Sequence, residues 1–140
     1  RTPVMYGTGE QKRDFIFIDD VTSINKKFIE KETAKNETFN VGIGKVCSVN
    51  EIYGIIDNIL KTGIKPIKKP AYDMYEGINN ITEGKSIKNE IVAKETNKFT
   101  EADISKAKRL LDWEPKVDLK TGIIASIEFV REMIDLKKDF

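Results

Sequence analysis

The sequence contains no histidine, and its 140 residues include one cysteine, one tryptophan and four prolines. The lack of histidine excludes Ser-His-Asp and Cys-His mechanisms, and a zinc site is not expected. Cys47 is alone, so it cannot form an internal disulfide, and no neighbouring cation-rich stretch indicates a reactive thiolate. Any catalysis must therefore use other side chains or a cofactor.

Positive and negative charges are nearly balanced in the sequence, and there is no long apolar run. Its 24 Lys and Arg residues against 23 Asp and Glu residues leave a formal net charge of +1. We therefore expect no binding of nucleic acid or of an anionic membrane. Because nothing resembles a signal peptide or a spanning segment, we predict a cytoplasmic protein.

No Gly-x-Gly-x-x-Gly or Gly-x-x-Gly-x-x-Gly loop opens a strand–turn–helix unit, so we expect no nicotinamide-dinucleotide site within this chain. A length of 140 residues fits one compact domain but is small for an enzyme that binds both cofactor and substrate. Since the first residue is Arg1 rather than Met, we expect the native product to extend upstream.

Hydrophobic periodicity predicts an α/β domain. The unbroken apolar run Phe15–Ile18 predicts a buried strand, and Asp19 or Asp20 is expected to cap the helix that follows. That helix should end near residues 31–34. A second strand is predicted over residues 38–43.

Later segments carry local start and stop signals. Ser48-Val49-Asn50-Glu51 predicts a capping box, and the helix it starts should end at Gly63. Two prolines within residues 64–71 favour an edge strand or an extended arm. Residues 72–97 are predicted to be irregular. Two more helices are expected, one capped by Thr100 or Asp103 with Lys106 on its solvated face, and one beginning near Asp118.

The stretch around Arg13 is the strongest candidate site. Gly7-Thr8-Gly9 predicts a turn, and Arg13 and Asp14 should lie where a buried strand meets a loop. The planar guanidinium of Arg13 suits a diphosphate, whereas an ion pair with an acidic neighbour is the structural alternative. Asp14 is expected to orient Arg13 or to cap a turn.

Four other residues are weaker candidates. Asn40 is polar within an apolar strand and is expected to bond a neighbouring backbone group or a ligand. Ser48 and Val49 lie at a helix start, where backbone N–H groups can meet a nucleotide, although capping alone also explains Ser48. Lys94 offers a cation. Trp113 followed by Pro115 is interpreted as a packing anchor.

Three motifs together resemble the C-terminal half of NAD-dependent nucleotide-sugar epimerases and dehydratases, the extended short-chain dehydrogenase/reductase family. They are Gly7-Thr8-Gly9-x-x-x-Arg13-Asp14-Phe15, then Phe39-Asn40-Val41-Gly42-x-Gly44, then Ala102-Asp103-Ile104-Ser105-Lys106-Ala107-Lys108 with Trp113 and Pro115 behind it. The resemblance implies a fold portion without the Rossmann dinucleotide-binding half. Residues 1–140 would then form the nucleotide-sugar-binding domain, with an irregular insertion near residues 72–97.

The resemblance also implies partners and activity. It implies a UDP-sugar or other nucleotide-sugar ligand, NAD bound outside this chain, and a homodimeric parent protein. UDP-glucose 4-epimerase is the first expectation; a 4,6-dehydratase, an ADP-heptose epimerase or a non-catalytic binding module are the alternatives. In the family, the arginine that matches Arg13 holds the nucleotide diphosphate.

The sequence departs from the family at three places. The Tyr-x-x-x-Lys catalytic pair is missing, so no catalytic residue is assigned to this chain. Phe15 stands where family members often carry Tyr. An Arg-x-Gly-Asp-like element is also missing, and Lys94 and Lys98 are only approximate substitutes, which leaves a second phosphate contact unassigned.

Overall fold

The structure is a computed structural model that describes residues 2–75, 91–92, 94 and 98–136. Strands and helices are interspersed along these residues, as predicted for the α/β class. The strands are β1 (Val4–Tyr6), β2 (Lys12–Asp14), β3 (Val46–Ser48), β4 (Ile67–Lys69) and β5 (Phe99–Thr100). The α-helices with defined bounds are α1 (Ile18–Glu30), α2 (Val49–Leu60), α3 (Ser105–Leu111) and α4 (Leu119–Leu136).

The chain divides into two compact units. The first contains Arg1–Arg13 and Val46–Thr100, and the second contains Asp14–Lys45 and Glu101–Phe140. Each unit thus combines segments that are distant in sequence. The described helices are not long and apolar enough to cross a membrane.

The first unit is built on small sheets. β1 pairs with β4 in parallel, with Val4 opposite Ile67, and a second sheet has the order β3-β2-β5. The predicted edge strand within residues 64–71 is confirmed as β4. Both Val4 and Ile67 are more than 40% exposed, although parallel strands are usually covered on both faces.

The second unit has a helical core. The buried side chains are Ile24 of α1, Ala107 and Leu111 of α3, and Trp113. Trp113 is confirmed as a packing anchor, since it is 5% exposed and its Nε1–H donates to Ser23 Oγ at 2.7 Å. A fully buried Ile or Leu side chain contributes roughly 1.5–3 kcal/mol to stability, so Ile24 and Leu111 each stabilise this unit.

The strand predicted over Phe15–Ile18 is wrong, because strand β2 ends at Asp14 and Ile18 already begins α1. The apolar run has another use: Ile16 packs against the core, and the ring of Phe17 lies close to Gly122. Ile18 itself is 63% exposed, so the run is only partly buried. An apolar run also does not indicate hydrogen bonding to a neighbouring strand. Composition alone therefore could not locate the strand.

The predicted cap of α1 is also wrong. The N-cap residue is Phe17, without a side-chain cap, and Asp19 and Asp20 lie inside the first turn. The buried Asp20 carboxylate instead accepts the N–H groups of Lys116 and Val117 at 2.9 and 3.0 Å. A negative charge in the first turn still suits the helix dipole.

Residues 38–43 do not form a strand, contrary to the prediction. Phe39 and Val41 pack against the core of the second unit, while Asn40 is exposed. The alternation of apolar and polar residues was therefore a valid burial signal. No backbone ladder accompanies it among the described residues.

Two predicted helix ends, the C-terminus of α2 and the N-terminus of α3, differ from the structure. α2 ends at the left-handed residue Lys61 (φ 53°), while Gly63 comes later and donates its N–H to Asp57 Oδ1. The N-cap of α3 is Ile104, and Thr100 lies in β5. The start of the last helix next to Asp118 is confirmed. The predicted irregular stretch 72–97 lies mostly outside the described residues.

Candidate functional site

Arg13 is half-buried within β2, between β3 and β5, rather than at a strand–loop junction. Its Nη1 donates to the carbonyl oxygens of Lys12 and Lys98. Two backbone carbonyls therefore orient the guanidinium. A guanidinium has five N–H donors in a fixed fork, and two bonds from Nη1 fix the plane in which that fork lies.

The Gly7–Gly9 turn is tied to the start of α2. Asn50 donates its backbone N–H to Gly9 O at 3.0 Å and its Nδ2 to Thr8 O at 3.1 Å and Glu10 Oε1 at 2.6 Å. Gly9 has a φ of +81°, and a Cβ there would collide with Asn50 and Met5. Glycine is thus required at this position. Sequence analysis missed Asn50, because its partners lie some 40 residues away in the chain.

The capping box at Ser48 is confirmed. Ser48 Oγ accepts the N–H of Glu51 at 3.1 Å, and Ser48 N–H donates to Glu51 Oε2 at 2.7 Å. Ser48 is buried, with 3% of the residue exposed. Capping accounts for both polar groups of Ser48. Val49, the first residue of α2, is half-buried.

The electrostatics of this helix start follow from the cap. The hydrogen bonds from Ser48 lower the pKa of the Glu51 carboxyl below its ordinary value. The pKa of the Cys47 thiol is raised, first by burial and then by the Glu51 charge. A thiol with a raised pKa is a poor nucleophile at neutral pH, as the sequence context of Cys47 predicts.

The two remaining predicted residues are exposed. Lys94 has a helical conformation in the first unit, and Asn40 lies on the surface of the second. Arg13, Ser48 and Val49 share the first unit with Lys94, and strands β2 and β3 place Arg13 next to the Ser48 strand.

Asp14 makes the most extensive carboxylate contact among the described residues. Its Oδ1 accepts the N–H of Ile43 at 2.8 Å, and its Oδ2 accepts those of Gly44 at 2.9 Å and Ala102 at 3.2 Å. Of the two expectations for Asp14, capping a turn is confirmed. Gly42 packs so closely that a Cβ there would collide with Asp14 Oδ2 and lie 2.6 Å from Ala102 Cβ.

Lys106 is not the solvated side chain that was predicted. Its Nζ donates to Glu37 Oε2 at 2.7 Å and to Thr38 O at 2.9 Å, and it lies 5.0 Å from the centroid of the Phe39 ring. Asp103 does not cap α3 as N-cap residue, but its Oδ1 accepts the Ser105 N–H at 2.9 Å. Both side chains therefore order the backbone.

Two clefts in the second unit contain none of the five predicted residues. One has a volume of about 510 Å³ and the other of about 450 Å³. Lysines and carboxylates line the larger one, namely Lys27, Lys108 and Lys116 with Asp112 and Glu114. Cavity volume alone thus does not locate a site in this chain.

A sequence model of the GDP-mannose 4,6 dehydratase family matches residues 1–125. The chain is 31% identical over 137 residues to a UDP-glucuronate 4-epimerase of Thermodesulfobacterium geofontis, covering 96% of this chain and 35% of that protein. It therefore spans about a third of the length of this curated relative.

Solved structures give the same assignment. The crystal structure of UDP-glucose 4-epimerase from Thermotoga maritima with UDP-glucose matches with a TM-score of 0.73 and 28% identity, over 95% of this chain and 36% of that one. UDP-glucuronic acid 4-epimerase from Bacillus cereus with UDP-glucuronic acid and NAD matches with a TM-score of 0.68 and 26% identity, over 94% and 36%. The chain belongs to the nucleotide-sugar epimerase and dehydratase family of extended short-chain dehydrogenases/reductases, and it corresponds to the C-terminal part without the Rossmann half.

Proposed function

We propose that this chain is the nucleotide-sugar-binding part of an NAD-dependent UDP-sugar 4-epimerase, and that its substrate is UDP-glucose. The relatives named above are 4-epimerases of UDP-sugars. NAD would oxidise and re-reduce the sugar carbon during epimerisation. Its binding site is assigned outside this chain, which has no dinucleotide loop.

The observation that carries the proposal is the geometry of Arg13. A planar cation whose orientation is fixed by two backbone carbonyls loses little freedom when it binds a diphosphate. Charge-assisted bonds from such a fork are among the stronger ones in proteins. Arg13 is therefore the residue to which we assign the diphosphate.

The other proposed contacts are subordinate. Ser48 uses its hydroxyl in the cap, so its part would be to fix the helix start, with Val49 supplying an apolar surface. Lys94, an exposed residue of the first unit, would provide a second cation for the diphosphate. Asn40, with no charge, would bond hydroxyl or carbonyl groups of the ligand.

A second candidate is a sugar-nucleotide 4,6-dehydratase, which the name of the matching family favours. The two readings share the diphosphate and differ in the nucleotide base that the relatives' names imply. Affinities for UDP, GDP and ADP, measured by calorimetry on the same preparation, separate them. Preference for UDP supports a UDP-sugar substrate, as in the 4-epimerases named above, whereas preference for GDP supports the GDP-sugar dehydratase. Preference for ADP supports an ADP-heptose epimerase.

The experiment that tests the proposal compares Arg13→Ala with Arg109→Ala, an exposed arginine of α3 that is not assigned to the site. Loss of a charged hydrogen bond predicts UDP affinity about 10- to 150-fold weaker for Arg13→Ala. Arg13→Lys keeps the charge but not the fork, so it should recover only part of the affinity. Urea unfolding of each variant checks that the loss is not one of folding.

Equal UDP affinity of the two alanine variants would contradict the assignment of Arg13. Failure of the unmodified chain to bind any of the three nucleotides would count against nucleotide binding by this part alone.

A further inference from the structure

One buried oxygen atom near Arg13 in the sequence has no hydrogen-bond partner. In the described part of the chain, Gln11 Oε1 is buried and accepts no hydrogen bond. A buried carbonyl oxygen without a donor is costly, and native proteins leave few of them unpaired. Beside a residue assigned to the ligand, such an atom is explained by a ligand group that donates to it.

Gln11 and Arg13 belong to the same compact unit. Arg13 is the middle residue of β2, and Gln11 directly precedes this strand. Side chains two residues apart along an extended backbone point to the same face, and their Cα atoms are roughly 6.6 Å apart. The exposure agrees, because Gln11 and Arg13 are half-buried whereas Lys12 between them is exposed. The amide and the guanidinium therefore share one face.

The backbone around Gln11 is fixed on both sides. Before it, Asn50 donates its backbone N–H to Gly9 O at 3.0 Å. After it, the Lys12 N–H donates to Lys98 O at 3.2 Å. A side chain on a fixed backbone loses less freedom when it binds a ligand. Because Gln11 is only half-buried and its terminal torsion is soft, a small rotation turns Oε1 toward a ligand.

The missing donor selects one part of a nucleotide-sugar. Its phosphate oxygens are ionised and accept hydrogen bonds, so they do not match the carbonyl oxygen of Gln11. The ribose hydroxyl groups can donate, and the ribose is attached directly to the diphosphate that we assign to Arg13. The base lies farther from the phosphates. A residue that shares a face with Arg13 therefore suits the ribose best.

We propose that Gln11 binds the ribose of the nucleotide-sugar, and that its Oε1 accepts a hydrogen bond from a ribose hydroxyl group. The proposal rests on the proposed function and adds the residue that recognises the nucleoside part of the ligand. Gln11 makes the site distinguish a ribonucleotide from a deoxyribonucleotide, which a diphosphate contact by Arg13 alone does not do.

The test measures binding of UDP, 2′-deoxy-UDP and 3′-deoxy-UDP to the 140-residue chain by calorimetry. Gln11→Met keeps the length of the side chain and removes the acceptor. Loss of one neutral hydrogen bond predicts that this variant binds UDP about 3- to 10-fold more weakly. The deoxy nucleotide that lacks the bonded hydroxyl should bind the unmodified chain more weakly than UDP by the same factor. Gln11→Met should not weaken its binding further.

The stability of the variant separates a ligand role from a structural one. Because Oε1 has no partner among the described residues, Gln11→Met should not lower the urea unfolding midpoint. Asn58→Leu replaces an exposed amide of α2 in the same unit, and it should leave all three nucleotide affinities unchanged. A lower midpoint of Gln11→Met with equal losses for all three nucleotides would show a structural role and overturn the inference.

A second variant covers the case in which Gln11→Met does not fold. Gln11→Glu keeps an acceptor at this position but adds a negative charge beside the diphosphate. It should weaken binding of all three nucleotides and preserve the ratio of UDP affinity to that of the deoxy nucleotide. The inference fails if the unmodified chain binds UDP and both deoxy nucleotides equally well. If the unmodified chain does not bind UDP, the proposed function fails first and the inference with it.

Discussion

Replacing Ser48 with alanine separates a structural role from a ligand role at the start of α2. Ser48 Oγ accepts the Glu51 N–H at 3.1 Å within a residue that is 3% exposed. Without the hydroxyl, that N–H has no capping partner, and the loss of an N-cap serine costs about 1 kcal/mol, within a range of about 0.5–2 kcal/mol. The reciprocal bond from Ser48 N–H to Glu51 Oε2 does not need the hydroxyl and should persist.

The expected shift is large enough to measure. With a urea m-value of about 1–3 kcal/mol/M, a loss of about 1 kcal/mol lowers the unfolding midpoint by roughly 0.3–1 M. Ser48→Gly should lose only a few tenths of a kcal/mol, because glycine is a better N-cap residue than alanine. The order wild type, glycine, alanine is thus a signature of capping rather than of a lost contact.

UDP affinity measured on the same variants completes the test. We expect Ser48→Ala to bind UDP nearly as well as the unmodified chain does, because the remaining bond from Ser48 N–H to Glu51 still fixes the helix start. An unchanged urea midpoint together with weaker UDP binding would refute the capping argument and make Ser48 a ligand contact.

The remaining predictions concern the core and acid stability. Leu111→Ala should lower the free energy of unfolding by about 2–5 kcal/mol, because Leu111 is fully buried. Leu110→Ala, at the half-buried neighbour, should lower it less in the same urea titration. Equal losses would contradict the assigned core. Since hydrogen bonds lower the pKa of Glu51 in the folded chain, its contribution is present above its unfolded value of about 4.3 and is lost as pH falls through the folded value. The urea midpoint of Glu51→Gln should therefore decline less between about pH 5 and pH 3 than that of the unmodified chain. An equal decline in the two proteins would contradict a contribution of the Glu51 carboxylate to stability.

The helices were predictable because their signals are local. The apolar spacing lies within α1, and the Ser48–Glu51 pair lies within the first turn of α2. In each case a short window of sequence contains the whole interaction. Trp113 was predictable for a related reason: a large aromatic residue at a helix exit has few uses other than packing. Boundaries were less accurate, since the end of α2 was predicted at Gly63, whereas the helix is capped by the left-handed Lys61 two residues earlier.

The strands could not be located in the same way. β2 is hydrogen-bonded to β5, whose residues lie more than 80 positions later, and the register between them leaves no local trace. Apolar content therefore pointed to Phe15–Ile18, where Ile16 packs on the core without joining a sheet and Ile18 is exposed. Within the candidate site, the sequence alone could identify Arg13, because an arginine suits a diphosphate. It could not show that two backbone carbonyls fix its guanidinium.

Asp14 shows most clearly where sequence reasoning ended. Next to Arg13, its carboxylate was expected either to orient the guanidinium or to cap a turn, and adjacency favoured neither. Successive side chains of a strand point to opposite faces, so two neighbours in β2 are poorly placed to pair with each other. The carboxylate instead meets N–H groups 29, 30 and 88 residues away. Those partners are backbone N–H groups, which nearly every residue type has, so the sequence does not identify them. The one local sign is Gly42, where any side chain would collide with the carboxylate. A glycine at that position is thus better explained by the volume of the Asp14 carboxylate than by a phosphate-binding loop.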